Sequence, residues 1–462
     1  MFKKEIYKQR RARLAEILRS GILILPANSM SSMNYRDNHY PFRQDSSFAY
    51  FTGVNQPDAV LLMDLNAGEE YLFARAQTVT DIIWEGKQAN LQQLGEQAGI
   101  SKVKDIKDWK PFIGKLVAQQ RKVHYLPPYR PEHVTQLSQW LQLSPAEVER
   151  NVSVEFIKAV VSLRSVKTQE EIVEINKAVV ITEQMIQDCI QSAQKGQSEW
   201  QLAARLQYMA QSRQAEFSFP PILTVNGQWL HTHATNKVLE DGEMVLCDCG
   251  AENNMNYAGD LTRTFPVSKK FTSKQKDIYN VVLAAQEAAI QALCPGKLHL
   301  EVHLLACEQL VEGLKSLGIM KGNAQEAVQA GAHTLFFPCG LGHMMGMDVH
   351  DMENLGEAYV GYTDDLKQSK QFGLRSLRLG KALEAGYVLT VEPGIYMNAD
   401  LMDEWEATRK CADFINYSKL QAYRNFGGIR IEDDYLITAS GSTLLGNGLA
   451  RTTDEIEALR SA

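Results

Sequence analysis

Apolar and polar positions follow two different periods in the first part of the chain. Short apolar runs with strand character separate stretches in which apolar residues recur at helical spacing. The strand-like runs lie at 22–25, 59–63 and 71–74, and the helical stretches lie near 91–97 and 110–118. This order predicts an α/β domain, which we place at residues 1–160.

The remaining residues, 161–462, predict long helices combined with antiparallel strands. Three capping-box patterns, a Ser or Thr followed three residues later by Glu or Gln, stand before helical stretches at Thr168, Ser198 and Thr272. Strand-like segments lie at 222–225, 244–249, 256–267, 388–396 and 428–438. The second domain is therefore predicted to be α+β.

Composition and charge narrow the class of protein. Apolar residues make up 45% and charged residues 22% of the chain, which is typical of a folded globular protein. The net charge of -7 disfavours nucleic acid, and no apolar run reaches the roughly 18 residues that span a bilayer, so we expect neither partner. Seven dispersed cysteines favour a reducing, cytoplasmic location over a disulfide framework.

Two aspartates flank a turn-forming segment of the second domain. Asp248 lies in "LCDCG" and Asp260 in "YAGDLTRTF", with Asn253 and Asn254 between them. A hairpin centred near residue 254 would place the two aspartates opposite each other on one face. Asp is uncommon in strands, so the pair either caps strand ends or serves a site.

Two glutamates interrupt strands that are otherwise apolar. Glu392 lies in "YVLTVEPGIY", where an unpaired carboxylate is costly to bury. Glu432, in "GIRIEDDYLIT", shares a strand face with Arg430, so an ion pair between them is one explanation for that strand. It does not explain Glu392. A divalent cation would relieve the repulsion and desolvation of several such carboxylates at once.

Histidines complete a candidate metal site. His343 and His350 stand seven residues apart in "GHMMGMDVHD". Four carboxylates with one imidazole suit manganese first, and then cobalt, zinc or iron. Carboxylates can bridge two ions about 3.5 to 4 Å apart, and water bound to such ions can attack an amide carbonyl at neutral pH. The residues therefore predict a hydrolase.

These separated motifs resemble the pita-bread metallopeptidases, and specifically the proline-selective branch with aminopeptidase P and prolidase. The similarity extends through "YPFRQDSSFAYFTGVNQPDAVLLM" and "LRSVKTQEEI" and covers nearly the whole chain. It implies a pita-bread catalytic domain at 161–462 after the N-terminal α/β domain. It also implies proline-containing peptides as substrates and a homodimer or a larger homo-oligomer.

The resemblance implies a role for each ligand of a site with two manganese ions. Asp248 would chelate one ion, and His343 and Glu392 would hold the other. Asp260 and Glu432 would bridge the two. Glu392 would also accept the proton of the attacking water as a general base.

Further residues would contact the substrate. His231, in "WLHTHATN", and His350 match the two histidines that steady the carbonyl oxygen and the leaving proline nitrogen in the resembled family. Arg430 is a further candidate substrate contact. The chain departs from the family pattern at Cys339, where histidine is usual, and in the interval between Asp248 and Asp260, which is one residue longer.

Substrate length is left open by the sequence. "FGLRSLRLG" resembles the prolidase segment whose second arginine, Arg378 here, binds the free carboxylate of an Xaa-Pro dipeptide. The N-terminal block resembles aminopeptidase P equally well, and a surface ion pair is the alternative role for Arg378. We place Xaa-Pro aminopeptidase activity first and Xaa-Pro dipeptidase activity second.

Two other functions agree less well with the sequence. A pita-bread domain can serve as a non-catalytic peptide-binding module, and a creatinase-like amidinohydrolase works without metal. Both would be expected to lack metal ligands, whereas all five ligand positions are filled here.

Overall fold

The computed structural model describes residues 1–461, which form two compact units. The first contains residues 1–164 and 354–359, and the second contains residues 165–353 and 360–461. The predicted division into domains at residue 160 stays a prediction. Within residues 1–461, no helix has both the length and the apolar character needed to cross a membrane.

The first unit is built around a mixed five-stranded sheet with the order β4-β3-β2-β1-β5. The strands are β1 (Ile22–Pro26), β2 (Val60–Asp64), β3 (Glu69–Ala74), β4 (Lys102–Asp105) and β5 (Val123–His124). The helices up to the change of unit are α1 (Lys4–Leu18), α2 (Ser46–Thr52), α3 (Val79–Glu85), α4 (Leu91–Ala98), α5 (Trp109–Val117), α6 (Pro131–Leu141), α7 (Pro145–Arg150) and α8 (Val154–Ser165). The outer pairs β1/β5 and β3/β4 are parallel, and the central pairs are antiparallel.

The core of this sheet forms because its central strands are covered on both faces. Every residue of β1 and β2 is buried, as continuous apolar runs predict. On one face, Phe73 of β3 packs edge-to-face against Trp109 with ring centroids 5.0 Å apart, and Trp109 packs in the same way against Trp140. The three predicted strands and the two predicted helices of this region are confirmed.

The second unit combines long helices with short antiparallel strands. Its strands are β6 (Glu216–Phe217), β7 (Ile222–Thr224), β8 (Met244–Cys249), β9 (Ala251–Glu252), β10 (Leu261–Pro266), β11 (Val388–Val391), β12 (Gly394–Tyr396), β13 (Gly428–Arg430), β14 (Asp433–Ile437) and β15 (Ser442–Leu444). The helices that follow α8 are α9 (Gln169–Ser192), α10 (Glu199–Gln211), α11 (Ser273–Ala292), α12 (His299–Ser316), α13 (Ala324–Gln329), α14 (Glu357–Val360), α15 (Ala399–Thr408), α16 (Tyr417–Leu420) and α17 (Thr453–Ser461). Of these, α14 falls almost wholly within residues 354–359, which belong to the first unit. All six pairings among the named strands of this unit are antiparallel, which confirms the α+β prediction.

The three predicted capping boxes all form. Thr168 caps α9, Ser198 caps α10 and Thr272 caps α11, and in each case the Glu or Gln three residues later returns a bond to the cap. These caps satisfy backbone N–H groups that have no partner within the first helical turn. They fix where the long helices begin.

The hairpin that carries the two aspartates differs from the sequence prediction. Asp248 lies opposite Thr262, so the hairpin is centred on residue 255 and Asp260 is displaced by two positions along the same face. The prediction that the aspartates face each other was therefore wrong. The cause is the turn, in which Asn256 adopts a positive φ of 61° and the backbone N–H of Asn253 donates to the carbonyl of Tyr257.

The two predicted strands that contain glutamates are each broken at the glutamate. The break between β11 and β12 falls at Glu392 and Pro393, and the break between β13 and β14 falls at Ile431 and Glu432. Pro393 has no backbone N–H to continue the ladder. The breaks release the glutamate side chains from the regular alternation of a strand.

Candidate metal centre

Four of the five predicted ligands come from strand ends and strand breaks of the second unit. Asp248 is near the end of β8, Asp260 precedes β10, Glu392 follows β11 and Glu432 precedes β14. The main chains of Glu432 and Thr262 form a bridge, which brings the last glutamate to the hairpin of the aspartates. Backbone pairing thus assembles the carboxylates.

His343 reaches this place through a close approach of two backbones. The N–H of Thr390 donates to the carbonyl of His343 at 3.1 Å, and the N–H of His343 donates to the hydroxyl of Thr390 at 3.2 Å. A Cβ on Gly342 would lie 2.0 Å from the carbonyl oxygen of Thr390, so only glycine permits this approach. The glycine directly before the histidine in "GLGH" is therefore required for steric reasons.

Three of the ligands present their donor atoms to a common point. One atom each of Asp260, His343 and Glu432 lies within 4.8 Å of the others, and all three residues are buried. His343 Nε2 is 3.4 Å from Asp260 Oδ2 and 3.8 Å from Glu392 Oε1. The fifth residue, Asp248, pairs with Arg430, whose Nε donates to the same Thr262 hydroxyl that donates to Glu432.

Arg430 does not form the ion pair with Glu432 that was one explanation for this strand. Its guanidinium pairs with Asp248 and donates to the Tyr396 hydroxyl at 2.9 Å. Glu432 instead accepts from the Thr262 hydroxyl at 2.6 Å. The strand break between residues 430 and 433 is the reason, because it ends the alternation on which the ion-pair interpretation depended.

Burial disfavours the ionised form of the carboxylates unless a cation is bound nearby. Desolvation, followed by repulsion from Asp248, raises the pKa of Asp260 well above its usual range. Desolvation likewise raises the pKa of Glu432 well above its usual range, and Asp260 adds to the effect. The pKa of Glu392 is raised to about 8 by desolvation and by repulsion from Asp260, although Arg430 opposes the shift. Each carboxylate is therefore stabilised by added positive charge.

The residues fit divalent cations. If all four carboxylates were ionised, the one guanidinium of Arg430 would leave three negative charges uncompensated in a buried place. Asp248 Oδ1 and Asp260 Oδ1 are both buried without a hydrogen-bond partner among residues 1–461. Oxygen donors with one imidazole suit manganese or a similar divalent ion, and such an ion satisfies both orphaned oxygens.

His343 has the orientation and protonation state of a metal ligand. Its Nδ1 lies 3.2 Å from the Met344 carbonyl, which fixes the proton on that nitrogen and leaves Nε2 free toward the carboxylates. Burial lowers the pKa of His343 to about 4. The ring is therefore neutral at neutral pH.

The two outer histidines differ in their surroundings. The ring of His350 lies 4.0 Å from that of His343 between centroids, and its Nδ1 is 2.6 Å from Glu353. His231 is exposed, yet partial desolvation and the charge of Arg430 lower its pKa. His350 is thus anchored beside the ligands, whereas His231 lies in a loop within electrostatic range of the site.

Arg378 and Cys339 lie at the border of the site. Arg378 forms an ion pair with the same Glu353 that binds His350. Cys339 is half-buried, and desolvation of its thiol, with the nearby Glu392, raises its pKa to about 12. It is therefore a neutral thiol, as a packing role requires.

The sequence analysis missed two carboxylates that position these groups. Glu353 joins His350 to Arg378, and Asp434 accepts from the backbone N–H of Asp260 at 3.0 Å. The spacing of three residues between His350 and Glu353 was a usable signal for the first. Asp434 directly follows two other acidic residues, Glu432 and Asp433, so nothing in the sequence distinguishes it from them.

Sequence profiles of two known families match this chain. The profile of Metallopeptidase family M24 matches residues 173–439, and that of the aminopeptidase P N-terminal domain matches residues 7–125. The Xaa-Pro dipeptidase of Homo sapiens is 30% identical over 473 residues, which cover 98% of this chain and 92% of the relative. The Xaa-Pro aminopeptidase of Escherichia coli (strain K12) is 29% identical over 472 residues, which cover 99% of this chain and 98% of the relative.

Solved structures show the same likeness. Zn-substituted Escherichia coli aminopeptidase P in complex with product matches with a TM-score of 0.82 and 29% identity, covering 100% of this chain and 98% of that chain. The aminopeptidase PepP of Pseudomonas aeruginosa matches with a TM-score of 0.82 and 28% identity over the same shares. The likeness therefore includes both matched regions of the chain.

Proposed function

Because the chain belongs to Metallopeptidase family M24, in its proline-selective branch, we propose that it is a manganese-dependent Xaa-Pro aminopeptidase. The predicted family, fold class and hydrolase activity are confirmed by this membership. The proposed reaction is hydrolysis of the bond between an N-terminal residue and a following proline in a peptide.

The convergence of Asp260, His343, Glu432 and Glu392 on one buried place is the observation that carries the proposal. Together with Asp248, these residues would hold two divalent cations. Bound cations would supply the positive charge that makes a water molecule acidic enough to attack an amide carbonyl. Manganese is proposed because oxygen donors predominate, with cobalt, zinc or iron as substitutes.

Glu392 is the proposed general base. Its carboxylate is largely buried, and its Oε1 lies 3.8 Å from His343 Nε2, at the edge of the ligand group. A carboxylate whose pKa rises in this environment can hold a proton taken from the attacking water and pass it on.

Arg430 holds Asp248 through an ion pair. A contact between Arg430 and the peptide substrate would be in addition to this ion pair.

The two outer histidines are the proposed substrate contacts. With Nδ1 bonded to Glu353, His350 has only Nε2 left to face the peptide. The nitrogen of a leaving proline must gain a proton, so a histidine near that nitrogen is a suitable donor. His231 is proposed to contact the carbonyl oxygen of the scissile bond, where negative charge develops.

The pairing of Arg378 supports an aminopeptidase over a strict dipeptidase. Glu353 already neutralises the guanidinium, so the carboxylate of a dipeptide would have to compete with it. The second candidate is an Xaa-Pro dipeptidase. It is favoured by the fact that one carboxylate holds both Arg378 and His350, which keeps the arginine close to the proposed position of proline.

Parallel assays of Ala-Pro-Ala and Ala-Pro test this order with manganese-loaded enzyme. We expect hydrolysis of the tripeptide, and little effect of Arg378→Ala on it. The matched control is Arg375→Ala, which removes an exposed arginine three residues earlier. Activity on the dipeptide alone, lost in Arg378→Ala and kept in Arg375→Ala, would favour the dipeptidase.

A separate experiment tests the preference for manganese. The enzyme is stripped of metal with a chelator and reloaded with manganese, cobalt, zinc or iron before the assay.

We also propose a cytoplasmic homo-oligomer. All seven cysteines are free thiols, which supports a reducing compartment. Helix α3 has no buried residue and exposes 75% of Val79, 74% of Ile83 and 83% of Trp84, which supports association through this helix.

A further inference from the structure

A second group of metal-ligating side chains lies in the second unit, outside the proposed catalytic residues. His303 and Cys307 belong to α12, and His333 belongs to the 3-10 turn Ala332–Leu335. One donor atom from each of the three lies within 4.8 Å of the other two, and all three residues are buried. None of them is assigned a role in peptide hydrolysis.

Helix geometry explains why His303 and Cys307 meet. Residues four apart lie on the same face of a helix, one turn from each other. The Cys307 sulfur is 3.5 Å from His303 Nε2. Donor atoms around a tetrahedral zinc ion, bound at about 2.0 to 2.3 Å, are themselves about 3.3 to 3.8 Å apart. The observed separation therefore suits two ligands of one ion.

One nitrogen of each imidazole has no partner in the surrounding protein. His303 Nδ1 and His333 Nδ1 are buried and have no hydrogen-bond partner among residues 1–461. Burial lowers the pKa of His303 to about 3 and that of His333 to about 4, so both rings are neutral, the form that binds metals. Buried polar atoms without a partner are uncommon and call for an explanation. A bound ion would account for His333 Nδ1, whereas His303 would bind through the Nε2 that faces the Cys307 sulfur.

We propose that His303, Cys307 and His333 bind a zinc ion that is separate from the catalytic centre. One thiolate and two imidazoles form a softer ligand set than the carboxylates at Asp260 and Glu432, and such sets select zinc. On binding, the Cys307 thiol releases its proton to solvent and its sulfur takes up the bond to zinc. The ion joins α12 to the turn Ala332–Leu335, and so holds the segment that leads into His343.

Cobalt substitution tests the proposal with a readout other than activity. The full-length protein is stripped of metal and titrated with Co²⁺, and the near-ultraviolet absorption of a thiolate-to-cobalt bond is recorded. The proposed catalytic ligands contain no thiolate, so only the new site produces this absorption. We expect it to appear in the wild type, and its absence at saturating cobalt would overturn the proposal.

Three variants show which residues give rise to the absorption. Cys307→Ser should abolish it together with one bound cobalt ion per chain, whereas the control Cys339→Ser should keep it. The double variant Asp260→Asn with Glu432→Gln should also keep it, because that change affects only the catalytic ligands. Loss in Cys339→Ser with retention in Cys307→Ser would overturn the assignment. Peptidase assays run in parallel show separately whether the proposed function fails.

A crystal of the zinc-loaded wild type provides a second measurement if Cys307→Ser does not fold. Anomalous scattering at the zinc edge should give a peak within bonding distance of His303, Cys307 and His333. A map with peaks only among the carboxylates would overturn the proposal.

Discussion

Glu353 accepts a hydrogen bond from Nδ1 of His350 at 2.6 Å, across three residues of chain. The same carboxylate forms the ion pair with Arg378. A neutral imidazole that donates from Nδ1 has its lone pair on Nε2, so the bond fixes the tautomer of His350. It also opposes the lowering of the His350 pKa that burial and His343 cause.

We expect Glu353→Gln to lower kcat on Ala-Pro-Ala by about 10- to 100-fold, the usual effect of removing a partner that orients a functional imidazole. Because the bond to Glu353 raises the pKa of His350, its loss should move the limb of the pH–rate profile that belongs to His350 to lower pH. Steady-state kinetics over a pH series measure both effects. The control is Glu404→Gln, an exposed residue of α15. A reduced rate with an unchanged profile would contradict the positioning role.

Removal of the carboxylate of the proposed general base should lower turnover without unfolding the protein. Gln has nearly the same shape as Glu, so we expect Glu392→Gln to keep the fold. Its kcat should fall by about 100- to 10,000-fold. Circular dichroism and manganese-loaded assays check the two parts. Glu384→Gln, at an exposed glutamate shortly before the same strand, serves as the control. Near-normal turnover of Glu392→Gln would remove the assigned role.

Local patterns predicted more of the fold than of the contacts within the site. The capping box at Thr168 depends on four consecutive residues, and the runs that form β1 and β2 are continuous, so both could be identified from the sequence. The register of Asp248 could not, because it depends on the positive φ of Asn256 within the turn.

Long-range partners were also beyond local patterns. Arg430 bonds to Asp248 across 182 residues of sequence, although its nearest acidic neighbour on the strand was Glu432. The resemblance to a known family supplied the set of ligands, but the partner of each side chain depends on where the strands break.

The ion pair of Arg430 should contribute strongly to the stability of the metal-free protein. Both partners are buried, so Arg430→Met leaves the Asp248 carboxylate without a countercharge, which costs about 3 to 5 kcal/mol in such pairs. Arg424→Met, which breaks the exposed pair with Asp403, should cost much less, because solvent screens that pair. Urea denaturation in the presence of EDTA measures both. Equal losses for the two variants would contradict the buried pair's contribution.

Association through α3 should be sensitive to charge. We expect a mass above the 51.9 kDa of one chain in light scattering, and a lower mass for Trp84→Glu. A charged residue in an apolar contact is disfavoured because it must lose its water. Trp200→Glu alters another exposed tryptophan and should leave the mass unchanged. A wild-type mass of a single chain would refute the proposed oligomer.

The carboxylates and histidines of the site make opposite contributions to stability as pH changes. The pKa of Glu392 is about 8 in the folded protein against 4.5 ordinarily, so its unfavourable ionisation in the fold lowers stability as pH rises through that interval. The pKa of His343 is about 4 against 6.5, so its contribution to stability rises with pH up to 6.5 and is then constant. Above 6.5, the histidines of the site no longer contribute to the slope, whereas its carboxylates still do.

We therefore expect the thermal midpoint of the EDTA-treated protein to fall between about pH 6.5 and about pH 8, because the folded state binds more protons than the unfolded state there. Divalent cations favour the ionised carboxylates and bind the fold more tightly as protons leave, so saturating manganese should abolish or reverse the fall. Glu392→Gln removes one raised pKa and should flatten the metal-free curve, whereas Glu384→Gln should not. Differential scanning fluorimetry at closely spaced pH values measures these slopes. A metal-free midpoint that stays level or climbs over this interval would mean that the carboxylates are not held in a buried, mutually repelling group.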